Sequence, residues 1–306
     1  MILVTGATGF IGGRLRQPHH RVLVRQPMGL PNEVVGDLLQ PETLSQACAG
    51  VTTVIHCAGL SDADETSHDR LWAVNVTGTR NLLRAAAAQG VRRFVLLSSV
   101  KAAGEPGTVC ADERWDAPPT TPYGHSKREA ERLAWRIGGK RGMEVVVLRP
   151  APVYGRGGKG LLATLVRLAA RGILPPLPVV ETNRRSFVHI ADLVAAIRLV
   201  AAHPEAAGKT MIVAHPEPCS TALLLTTIDQ ALGRSRARWR LPAGTACWLT
   251  KIPGRLGRLA SRLVSSACYT PATLMALGWQ PQVDLLTGLE EMVGKRDVPI
   301  PADSYL

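Results

Sequence analysis

The sequence predicts an α/β fold: a doubly wound parallel sheet that binds a nucleotide, followed by a smaller C-terminal α/β lobe. Three observations predict it. Glycines recur as T-G-x-x-G-x-x-G directly after the first apolar run. Short β-branched runs alternate with helical patterns up to residue 150. Beyond that point the rhythm breaks into Gly- and Pro-rich loops, one amphipathic helix and a basic remainder.

The elements follow in order. ILVT (2–5), RVLV (21–24), TTVIH (52–56), RRFVLLSS (92–99) and EVVVLR (144–149) read as strands buried on both faces. The segments 68–90 and 123–138 read as helices, with Gly90 and Gly138 at their ends. Strand–helix alternation requires crossovers, hence a parallel sheet with helices on both faces. PVYGRGGKG and ILPPLP are loops, and LLATLVRLAARG between them is an amphipathic helix. SFVHI (186–190) and TMIVA (210–214) are late strands expected to return to the first unit. The division is therefore 1–150 for the dinucleotide domain and 151–306 for a mainly substrate-binding lobe.

A chain of 306 residues is long enough to bury a sizeable core. Its net charge of +12 comes largely from Arg scattered over an Ala-rich chain. That reads as a solvated basic surface with room for an anionic ligand, not as a nucleic-acid site. The six cysteines lie far apart with no CxxC or Cys/His spacing. Hence no metal site is expected, and a reducing compartment, the cytoplasm, is. Strand-like residues from Ile2 onward leave no room for a signal peptide. The apolar stretches are broken by Arg or Pro, so no membrane span is expected.

Gly6, Gly9 and Gly12, with Thr8, Phe10 and Ile11 between them, form a turn from the first strand into a helix. Glycines there permit a tight turn and close approach to a pyrophosphate, and the helix N-terminus offers free N–H groups, as in a Rossmann dinucleotide site. Where an acid often binds the adenosine ribose, this chain has Arg25, with Arg14 and Arg16 nearby. A guanidinium suits a 2′-phosphate by forked, charge-assisted hydrogen bonds. NADP(H) is therefore favoured, with NAD(H) left open. Asp37 is placed to accept from the adenine amino group and Leu38 to pack on the ring. Cys57, Ala58 and Gly59 end the next strand with small residues that let the chain pass close to the cofactor. Pro18 stops the first helix about one turn early, which predicts a looser sheet edge beside it.

Tyr123 and Lys127 stand at i and i+4 on a helix and project from one face. A nearby ammonium favours the phenolate and makes Tyr a usable proton carrier near neutrality. Ser99 at a strand end is placed to hydrogen-bond the same substrate oxygen.

TGATGFIG, HCAG, LSSVKAAG, YGHSK and RPAPVYGRG, in this order, resemble the extended short-chain dehydrogenase/reductases. The resemblance implies a catalytic triad of Ser99, Tyr123 and Lys127. Tyr123 would exchange a proton with the substrate oxygen while hydride passes between substrate carbon and nicotinamide. Lys127 would also hold the nicotinamide ribose, with Asn75 and Pro150 beside the cofactor. It implies a homodimer built on the helices 68–90 and 123–138. NRRSFVHIADL (183–193) resembles the stretch that places an arginine, here Arg185, on a nucleotide-sugar diphosphate. Arg262, in a basic helix expected within 248–264, is a second candidate for that diphosphate; the same helix also suits a membrane surface.

The tail 276–293 resembles a branch acting on UDP-sugars, with 4-epimerases and 4-keto-reductases among its members. Val100 and Lys101 replace the two acids of 4,6-dehydratases, which removes that activity. Pro152 and Ala103 also depart from the usual Asn and aromatic residue. Arg25 tilts the expectation to NADPH-dependent reduction of a UDP-4-keto-6-deoxyhexosamine. The alternatives are a UDP-hexose or N-acetylhexosamine 4-epimerase, another carbonyl or sterol-like substrate, and a dinucleotide-binding redox sensor.

Overall fold

β1 (Ile2–Thr5), β2 (Arg21–Val24), β3 (Glu33–Val35), β4 (Thr53–His56), β5 (Arg93–Leu97), β7 (Glu144–Pro150) and β11 (Thr210–Val213) form one seven-stranded sheet. Its order is β11-β7-β5-β4-β1-β2-β3, and every pairing is parallel. The strand order therefore reverses between β1 and β4, and the crevice outside their carboxyl ends is where such sheets bind ligands. The computed structural model describes residues 1–61, 64, 67–174, 177–178, 180–234, 240–241 and 255–300.

Two apolar layers cover the sheet. One face packs on α7 (Ile190–Ala202), whose Leu193, Val194, Ile197 and Val200 are buried against Val4, Val95, Val146 and Met211. The other face packs on α2 (Leu44–Cys48), α4 (Thr79–Ala88) and α5 (Pro122–Arg141). Of the two late strands, β11 joins the sheet beside β7, whereas β10 (Val188–His189) pairs with β8 (Val153–Tyr154) away from it. The C-terminal segment is tied to α7: the Asp192 carboxylate accepts the N–H groups of Gln282 and Val283, and Trp279 Nε1 donates to Asp192 O at 3.1 Å.

Three expectations are corrected. Gly138 does not end a helix: α5 runs on to Arg141 and is closed by Gly142 in the left-handed conformation. A Cβ on Gly138 would stand 2.3 Å from Val145 Cγ2, so glycine is needed there for close packing of α5 on β7. The segment 68–90 is not one regular helix but α3 (His68–Trp72), a π-helical stretch (Ala73–Gly78) and α4. And α1 is indeed only four residues long (Gly12–Leu15), yet the edge beside it is not loose. Leu15, Val22 and Val24 are buried, and Leu30 from the β2–β3 loop packs against them. That loop is held by Glu33, which accepts the N–H groups of Met28 and Leu30, and by Asn32, which donates to Pro18 O. A loop supplies the packing that the missing helical turn does not.

A separate cluster forms the lobe. α6 (Leu161–Ala170), α8 (Thr221–Ala231) and the helices Arg255–Val264 and Leu285–Met292 bury Leu165, Leu224, Ile228, Leu263 and Leu289 together. The two-residue strands β9 (Leu177–Pro178) and β12 (Arg240–Leu241) pair in parallel. Residues 248–254 of the expected basic helix lie outside the described residues. No helix among the described residues is long and apolar enough to cross a membrane.

Candidate active site

The crevice at the β1/β4 switch opens into a cavity of about 580 Å³ between sheet and lobe. That size suits a small-molecule site. Its floor is the turn after β1. Gly6 has φ +70°, the left-handed region, and a Cβ there would meet the backbone of Ala58 at 2.8 Å. A Cβ on Gly12 would stand 2.3 Å from Gly6 O. Gly9 and Gly13 N–H groups close the turn onto Gly6 O and Gly9 O. Phe10 and Ile11 line the cavity, and their N–H groups make no backbone bond among the described residues. Free N–H groups at a helix start, beside glycines that leave no room for side chains, fit a dinucleotide pyrophosphate.

The wall after β4 is set by a buried polar chain. Thr79 Oγ1 donates to Asn75 O at 2.7 Å, so its one proton is spent. It must accept from His56 Nε2, 2.9 Å away. That leaves His56 Nδ1 to accept from the Thr5 hydroxyl at 2.7 Å, and Thr5 Oγ1 in turn accepts the Ala58 N–H. One arrangement of protons satisfies every group. It requires a neutral imidazole, and burial pushes His56 down to about 3. The π-helical stretch turns Asn75 inward, where it accepts from Leu60 N–H and donates to Leu60 O and Ser126 Oγ. A Cβ on Gly59 would meet Asn75 Oδ1 at 2.9 Å, so glycine there lets Asn75 approach the strand end.

The expected catalytic residues line the cavity from two elements. Ser99 ends β5 and begins the 3₁₀ turn Val100–Ala103; Tyr123 and Lys127 lie on α5, capped by Thr121. Lys127 Nζ donates to Leu97 O at 2.9 Å and lies 6.0 Å from the Tyr123 ring centroid. Burial brings Lys127 down from its ordinary 10.5 to about 8, opposed by neighbouring anionic groups. Cys57 beside it is pushed up to about 12 by burial and stays a neutral thiol. Glu131 is then the anion that supports the Lys127 charge near neutrality. Arg149 on β7 grips both oxygens of Glu131, at 3.0 and 2.7 Å, and the Ser98 hydroxyl donates to the same carboxylate. This buried cluster joins the ends of β5 and β7 to the α5 face that carries Tyr123 and Lys127.

The opposite wall belongs to the lobe. Arg185 is buried and reaches the cavity; its Nη1 donates to Ser265 O and Oγ, while Nε has no partner. Burial lowers its pKa, an environment that an anionic partner would relieve. Arg262, Ala267 and Tyr269 complete that side. Over the mouth runs the loop from Tyr154 to Gly160. Arg14 donates to Phe10 O and to Arg156 O, joining the glycine turn to this loop. Lys159 pairs with Asp64 at 3.4 Å from across the mouth. Glu291, bound to buried His189, accepts the Arg156 N–H at 2.8 Å and anchors the loop to the lobe.

The cavity thus gathers Gly6, Gly9, Phe10, Ile11, Gly12, Cys57 and Gly59 with Ser99, Tyr123, Lys127 and Pro150, and with Arg185 and Arg262. Ala58 and Asn75 stand behind its wall. Thr8 is exposed outside it. The adenosine-side residues lie beyond it as well. Leu38 is buried beneath Gly78, and Asp37 Oδ1 accepts the Leu39 N–H. Arg25 is exposed at the end of β2 with no ion pair among the described residues. Arg14, expected near a phosphate, spends its guanidinium on two carbonyls. Sequence reading missed Thr5, His56 and Thr79, the Ser98–Glu131–Arg149 cluster, and Asp64 with Lys159. Glu131 alone had a signal, four residues beyond Lys127 on the same helix face.

The cysteines add a cross-link that the sequence spacing did not reveal. Cys110 and Cys268, 158 residues apart, form a disulfide between the two-residue strands β6 (Cys110–Ala111) and β13 (Cys268–Tyr269). Cys48, Cys57 and Cys219 are free. Sequence spacing is blind to a pairing made by the fold.

Residues 2–214 match the model of the NAD dependent epimerase/dehydratase family. The UDP-glucose 4-epimerase of Vibrio cholerae is 34% identical over 315 residues, covering 95% of this chain and 93% of that one. The N-acetyl-α-D-glucosaminyl-diphospho-ditrans,octacis-undecaprenol 4-epimerase of Escherichia coli O157:H7 is 26% identical, over 88% and 86%. The Thermus thermophilus UDP-glucose 4-epimerase in complex with NAD superposes with a TM-score of 0.73 at 26% identity, covering 96% and 98%. With the glycine turn, the Ser–Tyr–Lys set and the seven-stranded sheet in place, the chain belongs to the NAD dependent epimerase/dehydratase family, as an enzyme of the short-chain dehydrogenase/reductase type.

Proposed function

We propose that the chain is a nucleotide-sugar 4-epimerase that keeps its dinucleotide bound between turnovers. The observation that carries this reading is the loop tied down beside the glycine turn. Arg14–Arg156 and Lys159–Asp64 lay a loop across the glycine turn, which favours a resident cofactor over one exchanged each cycle. The 34% identical relative is named a UDP-glucose 4-epimerase, in line with a UDP-hexose substrate.

In this reading Arg185, with its unpartnered Nε, holds the sugar-nucleotide diphosphate, and Arg262 lies on the same wall. Ser99 positions the 4-oxygen. Tyr123, as phenolate supported by Lys127, takes the proton from the 4-hydroxyl and returns it after the sugar has presented its other face. Bound NAD would supply the reversible two-electron oxidation at C4. The α3–α5 side is the surface on which a homodimer would form, checked by light scattering on the purified protein.

A second reading, reduction of a 4-keto nucleotide sugar by NADPH, is favoured by Arg25. It stands exposed at the end of β2, without an ion pair among the described residues, at the position from which an adenosine 2′-phosphate is met. One experiment separates the two. The purified protein is incubated with UDP-glucose or UDP-N-acetylglucosamine and no added cofactor. Formation of the 4-epimer supports the epimerase. Turnover only with a 4-keto sugar and added NADPH sinks it in favour of the reductase.

A further inference from the structure

The segment Ser265–Tyr269 is the part of the substrate wall that holds Arg185. It lies between two short strands. On one side Ser186 N–H donates to Ala267 O at 2.9 Å, Ala267 N–H donates to Arg184 O at 2.8 Å, and Arg185 itself is fixed on Ser265. On the other side Cys268 and Tyr269 pair with Cys110 and Ala111 in a strand two residues long, with Thr270 N–H on Ala111 O at 2.8 Å. Cys110 belongs to the excursion that leaves the active site at Gly104 and returns before Tyr123. The same excursion is held to the sheet side by Glu113, which accepts the Ile212 N–H, and by the Asp116–Arg128 ion pair. Besides this short pairing and the buried contacts of Tyr269 with Val100, Ala111 and Ile212, the Cys110–Cys268 bond is a covalent link between the two walls. Its two ends differ: Cys268 is buried and Cys110 is exposed to solvent.

We propose that Cys110–Cys268 is a thiol–disulfide exchange site whose state sets how firmly the Arg185 wall is held, and with it the affinity for the nucleotide-sugar substrate. A dithiol is the reductant. One of its thiolates attacks the exposed Cys110 sulfur, the S–S bond breaks, and Cys268 leaves as a thiolate that takes a proton. The second thiol of the reductant then displaces Cys110. Two electrons pass from dithiol to protein, leaving two protein thiols and an oxidised reductant. With the bond open, β13 loses its covalent link to β6, and the segment that carries Ser265 and Arg185 is held less firmly against the other wall. The glycine turn is remote from this bond, and α5 meets the Cys110 excursion only through the Asp116–Arg128 pair, so dinucleotide binding is expected to hold.

The substrate readout rests on the nucleotide-sugar reading; the chemical and exchange readouts do not. Thiols are titrated in denaturant before and after dithiothreitol, with peptide mapping of the oxidised protein. Two additional thiols and a linked Cys110–Cys268 peptide are expected. Amide exchange is then compared in the two states. Faster exchange over residues 265–270 on reduction, with the glycine turn unchanged, is expected. Calorimetric affinity for UDP should fall on the order of fivefold or more while that for NAD holds. Cys110→Ser should behave as the reduced protein and ignore dithiothreitol. Absence of the linked peptide overturns the proposal. So does an oxidised protein whose exchange at 265–270 and UDP affinity match those of the reduced one. Failure to turn over any nucleotide sugar in either state, with the exchange difference intact, would sink only the functional reading.

Discussion

The two sides of the cavity are built differently. The dinucleotide side is mostly backbone: a glycine turn, a strand end and a helix start that are adjacent in sequence, with Phe10 and Ile11 as its large side chains. The substrate side is side chains from segments up to 158 residues apart, held by Arg185, a few short β pairings and one disulfide. The first arrangement tolerates no added atom. The second tolerates much local change but depends on a few cross-links. Between them stands the Tyr123–Lys127–Glu131 face of α5, which needs both sides to be in place.

The sharpest break in that middle element is Tyr123→Phe. It removes the proton carrier without emptying the space. Turnover is expected to fall by about 10²–10⁴, with dinucleotide affinity unchanged by calorimetry. Retained turnover would move the catalytic role elsewhere.

Next is Glu131→Gln, which tests whether α5 is tied to both β5 and β7 through charge. Removing one partner of a buried pair costs about 3–5 kcal/mol, read as a fall in the denaturant midpoint; the amide's remaining acceptor puts the expected value at the low end. The variant also has a signature that a purely structural role would not give. Lys127 has its pKa lowered to about 8, so its support for the phenolate is present below that pH and lost above it. The alkaline limb of kcat/KM is therefore expected near pH 8 in the wild type. Without Glu131, and with Arg149 left uncompensated, the limb moves to lower pH. A limb that stays in place would restrict Glu131 to structure.

Gly12→Ala probes the backbone side. The new Cβ meets Gly6 O at 2.3 Å, and neither backbone segment gives way cheaply. Overpacking of this kind costs about 1–3 kcal/mol, here expressed as weaker dinucleotide binding. Gly139→Ala is the control: nothing lies within 4 Å of its Cβ, and little change is expected.

The same contrast explains what could be read from the sequence. The sheet, the glycine turn and the Tyr–Lys face were legible because each is a local pattern: period, spacing, or i and i+4. β11 was legible as a strand, but its place beside β7 was not, since β10, read the same way, pairs with β8 outside the sheet. The Glu131–Arg149–Ser98 cluster was not, because a buried ion pair between a helix and two strands leaves no periodic mark. The Thr5–His56–Thr79 chain was hidden for the same reason; its histidine looked like part of a small-residue strand end. The Cys110–Cys268 bond was not legible because spacing rules describe pairs close in sequence. The bonds of Arg14 to two carbonyls, one of them 142 residues away, were not legible, because they join segments distant in sequence. Local chemistry is written along the chain; cross-links appear only when the lobe closes.

The smallest expected effect tests that closure directly. Lys159 and Asp64 meet at 3.4 Å over the mouth, and the Lys159 side chain is largely solvent-exposed. An exposed pair of this kind contributes about 0–1 kcal/mol, so Lys159→Ala should leave the melting temperature almost unchanged. Its effect should appear in kinetics. If the loop from Tyr154 to Gly160 must lift before a dinucleotide leaves, removing one of its ties speeds escape by up to about fivefold, the rate equivalent of about 1 kcal/mol. Stopped-flow displacement of bound NADH by excess NAD reads that rate. Raising the salt concentration should speed escape from the wild type and leave the variant nearly unchanged, because screening weakens the same pair that the substitution removes. Equal escape rates in both proteins at low salt would mean that Arg14 and Glu291 hold the loop without help from Lys159, and the case for a resident cofactor would then rest on them.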